Sequence, residues 1–168
     1  MSGANVTIRE SSDADVPAIA AIYGHHVLEG TGTFEIELPD EAEIARRRQD
    51  LVQRGFPWLV AEVNGAVVGY AYAGPFRARE AYRFTAEDSI YVHPESMGQG
   101  VGGTLLRELI EACRRQGYRQ IIAVIGDSGN LGSIRVHEAC GFQHIGVLRN
   151  VGLKHDRWLD AVIMQLEL

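Results

Sequence analysis

The chain has 168 residues, 46% of them hydrophobic and 23% charged, which suits a soluble protein able to bury a core of ordinary size. Sixteen Lys and Arg against twenty-two Asp and Glu leave a net charge of −6, so the basic face that nucleic-acid binding needs is lacking. No run of about 18 apolar residues is present to span a membrane.

Cys113 and Cys140 sit among apolar residues without a CxxC or His-rich partner, which argues against a disulfide framework or a metal site. The opening MSGANVTIRE has no apolar stretch behind a basic region, so no secretory signal is expected and the reading is cytoplasmic. There is no repeat, low-complexity tract or linker, and residues 1–168 read as one domain.

In chain order, Val6-Thr7-Ile8 reads as a short strand. Ser11, Ser12 and Asp13 offer caps for a helix carrying Val16, Ile19, Ala20, Ile22 and Tyr23 at helical spacing. His25 to Glu37 has weaker periodicity and reads as loop. A second helix starts near Pro39-Asp40, carries Ile44 and Leu51, and stops at Gly55. Trp58–Val63 and Ala66–Ala73 are extended runs joined by Asn64-Gly65, a dipeptide suited to the positive φ angles of a tight hairpin turn. Thr85 to His93 is a further strand. Gly98 to Gly103 open a helix with Leu105, Leu106, Leu109, Ile110, Ala112 and Cys113 on its apolar face, ending at Gly117. Ile121–Ile125 is a short apolar strand, Ser133–Cys140 a helix closed by Gly141, and His144–Leu148 and Trp158–Leu166 are closing strands. The expected order is β-α-α-β-β-β-α-β-α-β-β, an α/β (α+β) mixed sheet with helices on both faces.

The most informative stretch is Met97-Gly98-Gln99-Gly100-Val101-Gly102-Gly103-Thr104, which follows a strand and opens a helix. Glycines leave main-chain N–H groups facing open space, and at a helix N-terminus these groups form an anion site. The helix dipole adds roughly 0.3–1 kcal/mol per anionic group, and several N–H bonds to phosphate oxygens matter more. Gly98, Gly100 and Gly103 fit G-x-G-x-x-G, but the loop lies behind an antiparallel hairpin. No acidic residue ends a strand about 20 residues on, as a dinucleotide fold requires. No Gly-Lys-Ser/Thr follows, which excludes a P-loop.

A third reading is the diphosphate of coenzyme A. The spacing Gly98-x-Gly100-x-Gly102 after a strand resembles the acyl-CoA loop of the GNAT superfamily of N-acyltransferases, with Met97 where that loop usually carries Arg or Gln. The resemblance implies a GNAT-type domain with a mostly antiparallel sheet of about six or seven strands and about four helices. More specific strings are similar to the phosphinothricin acetyltransferases and their methionine sulfoximine- and methionine sulfone-acetylating relatives. They are Arg83-Phe84-Thr85-Ala86-Glu87-Asp88-Ser89-Ile90-Tyr91-Val92, Ala123 to Gly126, Asn130-x-x-Ser133, His137 to Phe142, and Lys154 to Asp160 with Trp158.

That resemblance implies acetyl-CoA as co-substrate, no metal, a small amine acceptor and a homodimer. Transfer onto an α-amine needs a base, and Glu87 matches the carboxylate proposed for that role in the subfamily. Strand alternation puts only one of Glu87 and adjacent Asp88 in the cleft, and Glu87 is favoured. The resemblance further implies that the main chain around Ile90, Tyr91 and Val92 pairs the pantetheine arm. Asn130 and Ser133 match pantetheine-contacting positions, and a helix cap fits them equally. His137 stands where many members carry a Tyr that protonates the leaving thiolate; a structural helix histidine is the alternative. Arg77, Arg79 and Arg83, with Thr85, are candidates to hold a substrate carboxylate, and Phe34 is a candidate pocket wall. The other histidines, His26 among them, lack a constellation. Cys140, at a helix C-terminus, reads as a poor nucleophile, which favours direct transfer. Two alternatives keep the cofactor: another amine (a polyamine, an aminoglycoside or a protein N-terminus), or a CoA-binding module without catalysis.

Overall fold

The structure, a computed structural model, describes residues 5–168. Strands β1 (Val6–Glu10), β2 (Trp58–Val63), β3 (Ala66–Pro75), β4 (Thr85–Val92), β5 (Gln120–Gly126), β6 (Gln143–Lys154) and β7 (Arg157–Glu167) form one seven-stranded sheet ordered β1-β2-β3-β4-β5-β7-β6. Only β4 and β5 run parallel; every other neighbouring pair is antiparallel. The helices are α1 (Val16–Glu29), α2 (Glu41–Gln53), α3 (Val101–Arg115) and α4 (Leu131–Ala139).

The sheet has a hydrophobic core on each face. Leu105, Leu106, Leu109 and Cys113 of α3 pack with Ala71, Ala86, Ile121 and Met164 on one side. Ile19, Ile22, Tyr23 and Val27 of α1 and Ile44 of α2 pack with Trp58, Val60 and Tyr70 on the other. Alternation along β3 and β4 sorts residues between the two, so Ala71 and Ala73 face α3 while Tyr70 and Tyr72 face α1.

Three boundaries differ from expectation. Helix α1 continues through His25 to Glu29 where the sequence suggested a loop, because Val27, one turn beyond Tyr23, is buried in the core. Two adjacent histidines masked that continuation. Strand β6 runs on to Lys154 instead of ending near Leu148, with an irregular register between Leu148 and Gly152 and Asn150 at φ +52°. The β6–β7 turn uses His155 and Asp156, both at positive φ (+51° and +56°), a geometry that carries no glycine signature in the sequence. The β2–β3 turn at Asn64-Gly65 is as expected, with φ of +51° and +79°. Among the described residues, no helix is long and apolar enough to cross a membrane and no cluster of His, Cys, Asp and Glu is arranged to hold a metal.

The N-terminal strand is tied to α1 by a buried carboxylate. Arg9 donates Nη1 and Nη2 to Asp15 Oδ2 and Oδ1, both at 2.8 Å, and the Ser12 N–H donates to Oδ2 at 2.7 Å. The Arg9 hydrogen bonds outweigh burial and hold the Asp15 pKa at about 2, below the ordinary 3.8. Removing the carboxylate in Asp15→Ala should lower unfolding stability at pH 7 by about 1–3 kcal/mol, read by chemical denaturation. A lowered native pKa contributes stability above the unfolded value, so wild type and variant should converge as pH falls from 3.8 through about 2.

Candidate active site

The site begins with a gap in the sheet. β4 and β5 pair only from Thr85↔Gln120 to Asp88↔Ala123, although β4 runs on to Val92 and β5 to Gly126. The His93 N–H donates to Val68 O at 2.8 Å, on the β3 side, so by alternation the main-chain groups of Ile90 and Val92 point toward the gap. The Val92 carbonyl is met there by His26 Nε2 at 2.8 Å. A cleft of about 340 Å³ occupies the gap, bounded by β4, β5, the glycine loop and α4.

The glycine loop closes one end of this cleft. Gly98 and Gly100 take φ of +72° and +83°, the left-handed region that a Cβ disfavours, and Gly100 caps α3. The first helical bond is Thr104 N to Gly100 O at 3.1 Å, so the N–H groups of Val101, Gly102 and Gly103 precede it and lie open at the helix N-terminus. The Gln99 side chain turns back to donate to Glu95 O at 2.9 Å, leaving only its main chain to face a ligand. No basic residue lies between His93 and Arg107 in the sequence, but the Arg107 guanidinium folds back to Thr104 Oγ1 at 3.5 Å, so an anion here would be gripped by amides and the helix dipole with Arg107 beside them. Asn130 and Ser133 both line the cleft, and Asn130 also caps α4 by accepting the Ser133 N–H at 3.3 Å. The helix-cap reading of Asn130 holds, and the pair also stands at the cleft wall.

Glu87 and Asp88 lie on opposite faces of β4, as alternation requires, but the residue lining the cleft is Asp88. Glu87 shares the α1 face with Tyr72, Thr85 and Ser89. It is half-buried there, and that burial, followed by the charge of Asp88, pushes its pKa above the ordinary 4.5. Asp88 is buried and bonds His137, Oδ2 to Nε2 at 2.8 Å. His137 Nδ1 donates to Ser133 O at 2.7 Å, so the imidazole expected to be open to the cleft has both nitrogens occupied and is only 3% exposed. Burial works to lower the His137 pKa, but the charge and hydrogen bond of Asp88, with the Ser133 carbonyl, raise it above 6.5. Asp88 Oδ1, the other carboxylate oxygen, is buried without a partner at the cleft wall. A buried orphan acceptor beside a cavity is the mark of a polar ligand or an ordered water.

The arginine cluster is not gathered at this site. Arg77 rests on the rings of Phe76 and Tyr82, with its guanidinium carbon 4.9 and 5.5 Å from their centroids, and Arg83 lies 4.6 Å over Phe84. With Arg79 they are exposed, and none lines the cleft. Aromatic faces at the surface hold Arg77 and Arg83 instead. A partly buried polar cluster that the sequence did not suggest lies on the α1 face. Arg47 holds Glu35 in a two-pronged pair at 2.6 and 2.9 Å, and Tyr23 donates to the same carboxylate. Cys140 is half-buried and its pKa is raised, chiefly by burial, in keeping with a poor nucleophile. His26, which lines the cleft, carried no sequence signal beyond its spacing from Ile22.

The model of the acetyltransferase (GNAT) family matches residues 20–142. The chain belongs to the GNAT family of acetyltransferases. It is 52% identical to the phosphinothricin N-acetyltransferase of Alcaligenes faecalis, over 96% of this chain and 82% of that protein. To the L-methionine sulfoximine/L-methionine sulfone acetyltransferase of Salmonella typhimurium it is 40% identical, over 97% of this chain and 95% of that one. The crystal structure of a GNAT superfamily phosphinothricin acetyltransferase from Sinorhizobium meliloti in complex with AcCoA matches with a TM-score of 0.94. Its identity is 46%, with 97% of this chain and 88% of that chain covered.

Two outcomes follow for the GNAT site. Gly100→Ala should weaken coenzyme A binding in calorimetry at least fivefold, because a Cβ at φ +83° costs about 1–2 kcal/mol or forces the loop to shift. Asp88→Asn should lower the His137 pKa. The imidazole of the variant should therefore lose its proton at a lower pH than that of the wild type, read from imidazole nitrogen shifts by NMR across a pH titration.

Proposed function

We propose that this protein is an acetyl-CoA-dependent N-acetyltransferase that moves the acetyl group directly onto the α-amine of a small amino-acid analogue. Phosphinothricin, methionine sulfoximine and methionine sulfone represent the acceptor class. The observation that carries the reading is the parted pair β4 and β5, with the amide-lined start of α3 at one end of the gap and Glu87 on the opposite face of β4. The identity with acetyltransferases for phosphinothricin and for methionine sulfoximine or sulfone supports the acceptor class.

In this reading the amides of residues 98–103 hold the diphosphate, and the outward main-chain groups of Ile90 and Val92 pair the pantetheine as an added strand would. Asn130 and Ser133 flank it. Phe34, with Thr85, borders the acceptor on the α1 face. Glu87 takes the proton of the α-ammonium, directly or through one water, and the free amine attacks the thioester carbonyl. The C–N bond forms and the C–S bond breaks; the second proton, shed by the nitrogen as it becomes an amide, passes to the sulfur, and coenzyme A leaves as the thiol. His137 acts on this transfer only through Asp88, since both of its ring nitrogens are already bonded. The raised Glu87 pKa makes it a better base than a solvated carboxylate.

The reading extends to a single catalytic domain working in the cytoplasm as a homodimer. The free thiols Cys113 and Cys140 support a reducing compartment. A dimer is supported by Ile145, Leu148, Val151 and Leu153, all more than half exposed on the edge strand β6, and by Trp158 at 64% on β7 beside it.

A coenzyme A-release assay with methionine sulfone, methionine sulfoximine and phosphinothricin tests the proposal, and no release with any of them, or with other amines, refutes it. Glu87→Gln should lower kcat by about 10²–10⁴-fold with acetyl-CoA affinity unchanged. In the wild type kcat should rise with pH as Glu87 ionises, through a pKa above 4.5, and that limb should be absent from the variant.

A further inference from the structure

The segment Thr31–Glu35 between α1 and α2 crosses the α1 side of the β4–β5 gap and is fastened on both lips. On the β4 side, the Tyr23 hydroxyl meets Thr33 Oγ1 at 2.9 Å while its ring packs on Tyr91 of β4, with centroids 5.0 Å apart. On the β5 side, Thr31 Oγ1 donates to Asp127 Oδ2 at 2.7 Å. The Arg47–Glu35 pair pins the far end. Gly32 is thus part of the cleft wall, and Phe34 follows it on the β5 side of the gap.

Two residues of the C-terminal hairpin set how deep this strap sits. The Phe34 ring is wedged between Gly126 of β5 and Gly152 of β6. A Cβ built on Gly126 would lie 2.9 Å from Phe34 Cε1 and 2.6 Å from Thr31 O; one on Gly152 would lie 2.5 and 2.6 Å from Phe34 Cε2 and Cδ2. Distances below 3.0 Å are not tolerated, so at both positions the ring occupies the place of a side chain. Beside it, Lys154 is 4% exposed and donates Nζ to Thr33 O at 2.8 Å and to His26 O at 3.4 Å. No carboxylate among the described residues is within ion-pair distance of it. A buried ammonium held by carbonyls alone is a poor source of stability. What it does accomplish is to join the strap, the end of α1 and the hairpin at one point.

We infer that Gly152 and Lys154 are specificity-determining positioning residues, which fix the depth of Phe34, and with it the strap that borders the gap, and so the size of amine that the acceptor side admits. The inference rests on the acetyltransferase reading above. With the ring seated in the two glycine notches, a compact amino acid with a short polar side chain fits beneath it. Raising the ring changes which amines fit, while the glycine loop on the other side of the sheet is untouched.

The test is a double-mutant cycle on the full chain, read as acceptor KM for methionine sulfone and phosphinothricin, with acetyl-CoA Kd from calorimetry and melting temperature as controls. Gly152→Ala should change acceptor KM at least tenfold, and the ratio between the two amines at least threefold, with acetyl-CoA Kd within twofold of wild type. In a Phe34→Ala background Gly152→Ala should have less than a twofold effect, because the ring it displaces is gone. Lys154→Met should alter the amine ratio in the same direction. An equal effect of Gly152→Ala with and without Phe34, or an unchanged acceptor KM in both Gly152→Ala and Lys154→Met, overturns the inference while leaving the enzyme reading intact. If Gly152→Ala alone does not fold, folding restored by Phe34→Ala supports the wedge and its absence refutes it. A wild type inactive toward every amine sinks the reading beneath the inference, and the inference with it.

Discussion

Where β4 and β5 separate, the middle of a seven-stranded sheet forgoes main-chain hydrogen bonds that it would otherwise make, and the rest of the molecule is organised around that break. Buried N–H and C=O groups left unpaired are costly, so an interior gap persists only where something else meets them. His26 meets one carbonyl from the α1 side. The glycine loop, α4 and the cleft face the others, and a linear ligand rich in amides is a natural complement to such an edge. The parallel pairing at the apex matters here. Two parallel strands joined by a crossover helix can diverge at one end while pinned at the other, which a tight hairpin would not allow.

An acidic protein that grips a polyanion has to do so locally. The net charge of −6 offers no attractive field, and the loop that opens α3 lacks the Arg or Gln usual at the position of Met97. The main chain supplies the grip, with Arg107 beside it: two residues in left-handed conformation turn the chain so that successive amides face one point at a helix N-terminus. The two carboxylates of β4 show the same economy. Neighbours in sequence, Glu87 and Asp88 are separated by the sheet itself, so one polarises a histidine on α4 while the other stands on the α1 face with a raised pKa.

The legible parts of the fold were those set by short-range chemistry. The Asn64-Gly65 turn, the glycine loop and the apolar face of α3 each carry their reason within a few residues. Less legible were features whose cause lies far away in the chain. The last turn of α1 is held by Val27 in the core and His26 on β4, and the β6–β7 turn takes positive φ at His155 and Asp156 with no glycine to announce it. At the site, the glycine loop and the Asn130–Ser133 pair could be read from spacing. The Asp88–His137 contact spans 49 positions and the Lys154–Thr33 contact 121, and no local pattern encodes either. The arginines near residue 80 do cluster, but adjacent aromatic rings hold Arg77 and Arg83 at the surface, outside the cleft.

Strand β7, formed by residues 157–167, is not at the border of the sheet; it is threaded between β5 and β6. Residues 157–167 therefore complete an interior layer, and until they are in place β5 has an exposed flank and β6 has nothing to pair with. A stop codon or frameshift before residue 157 would thus remove a central plank of the sheet and leave β6 without its partner.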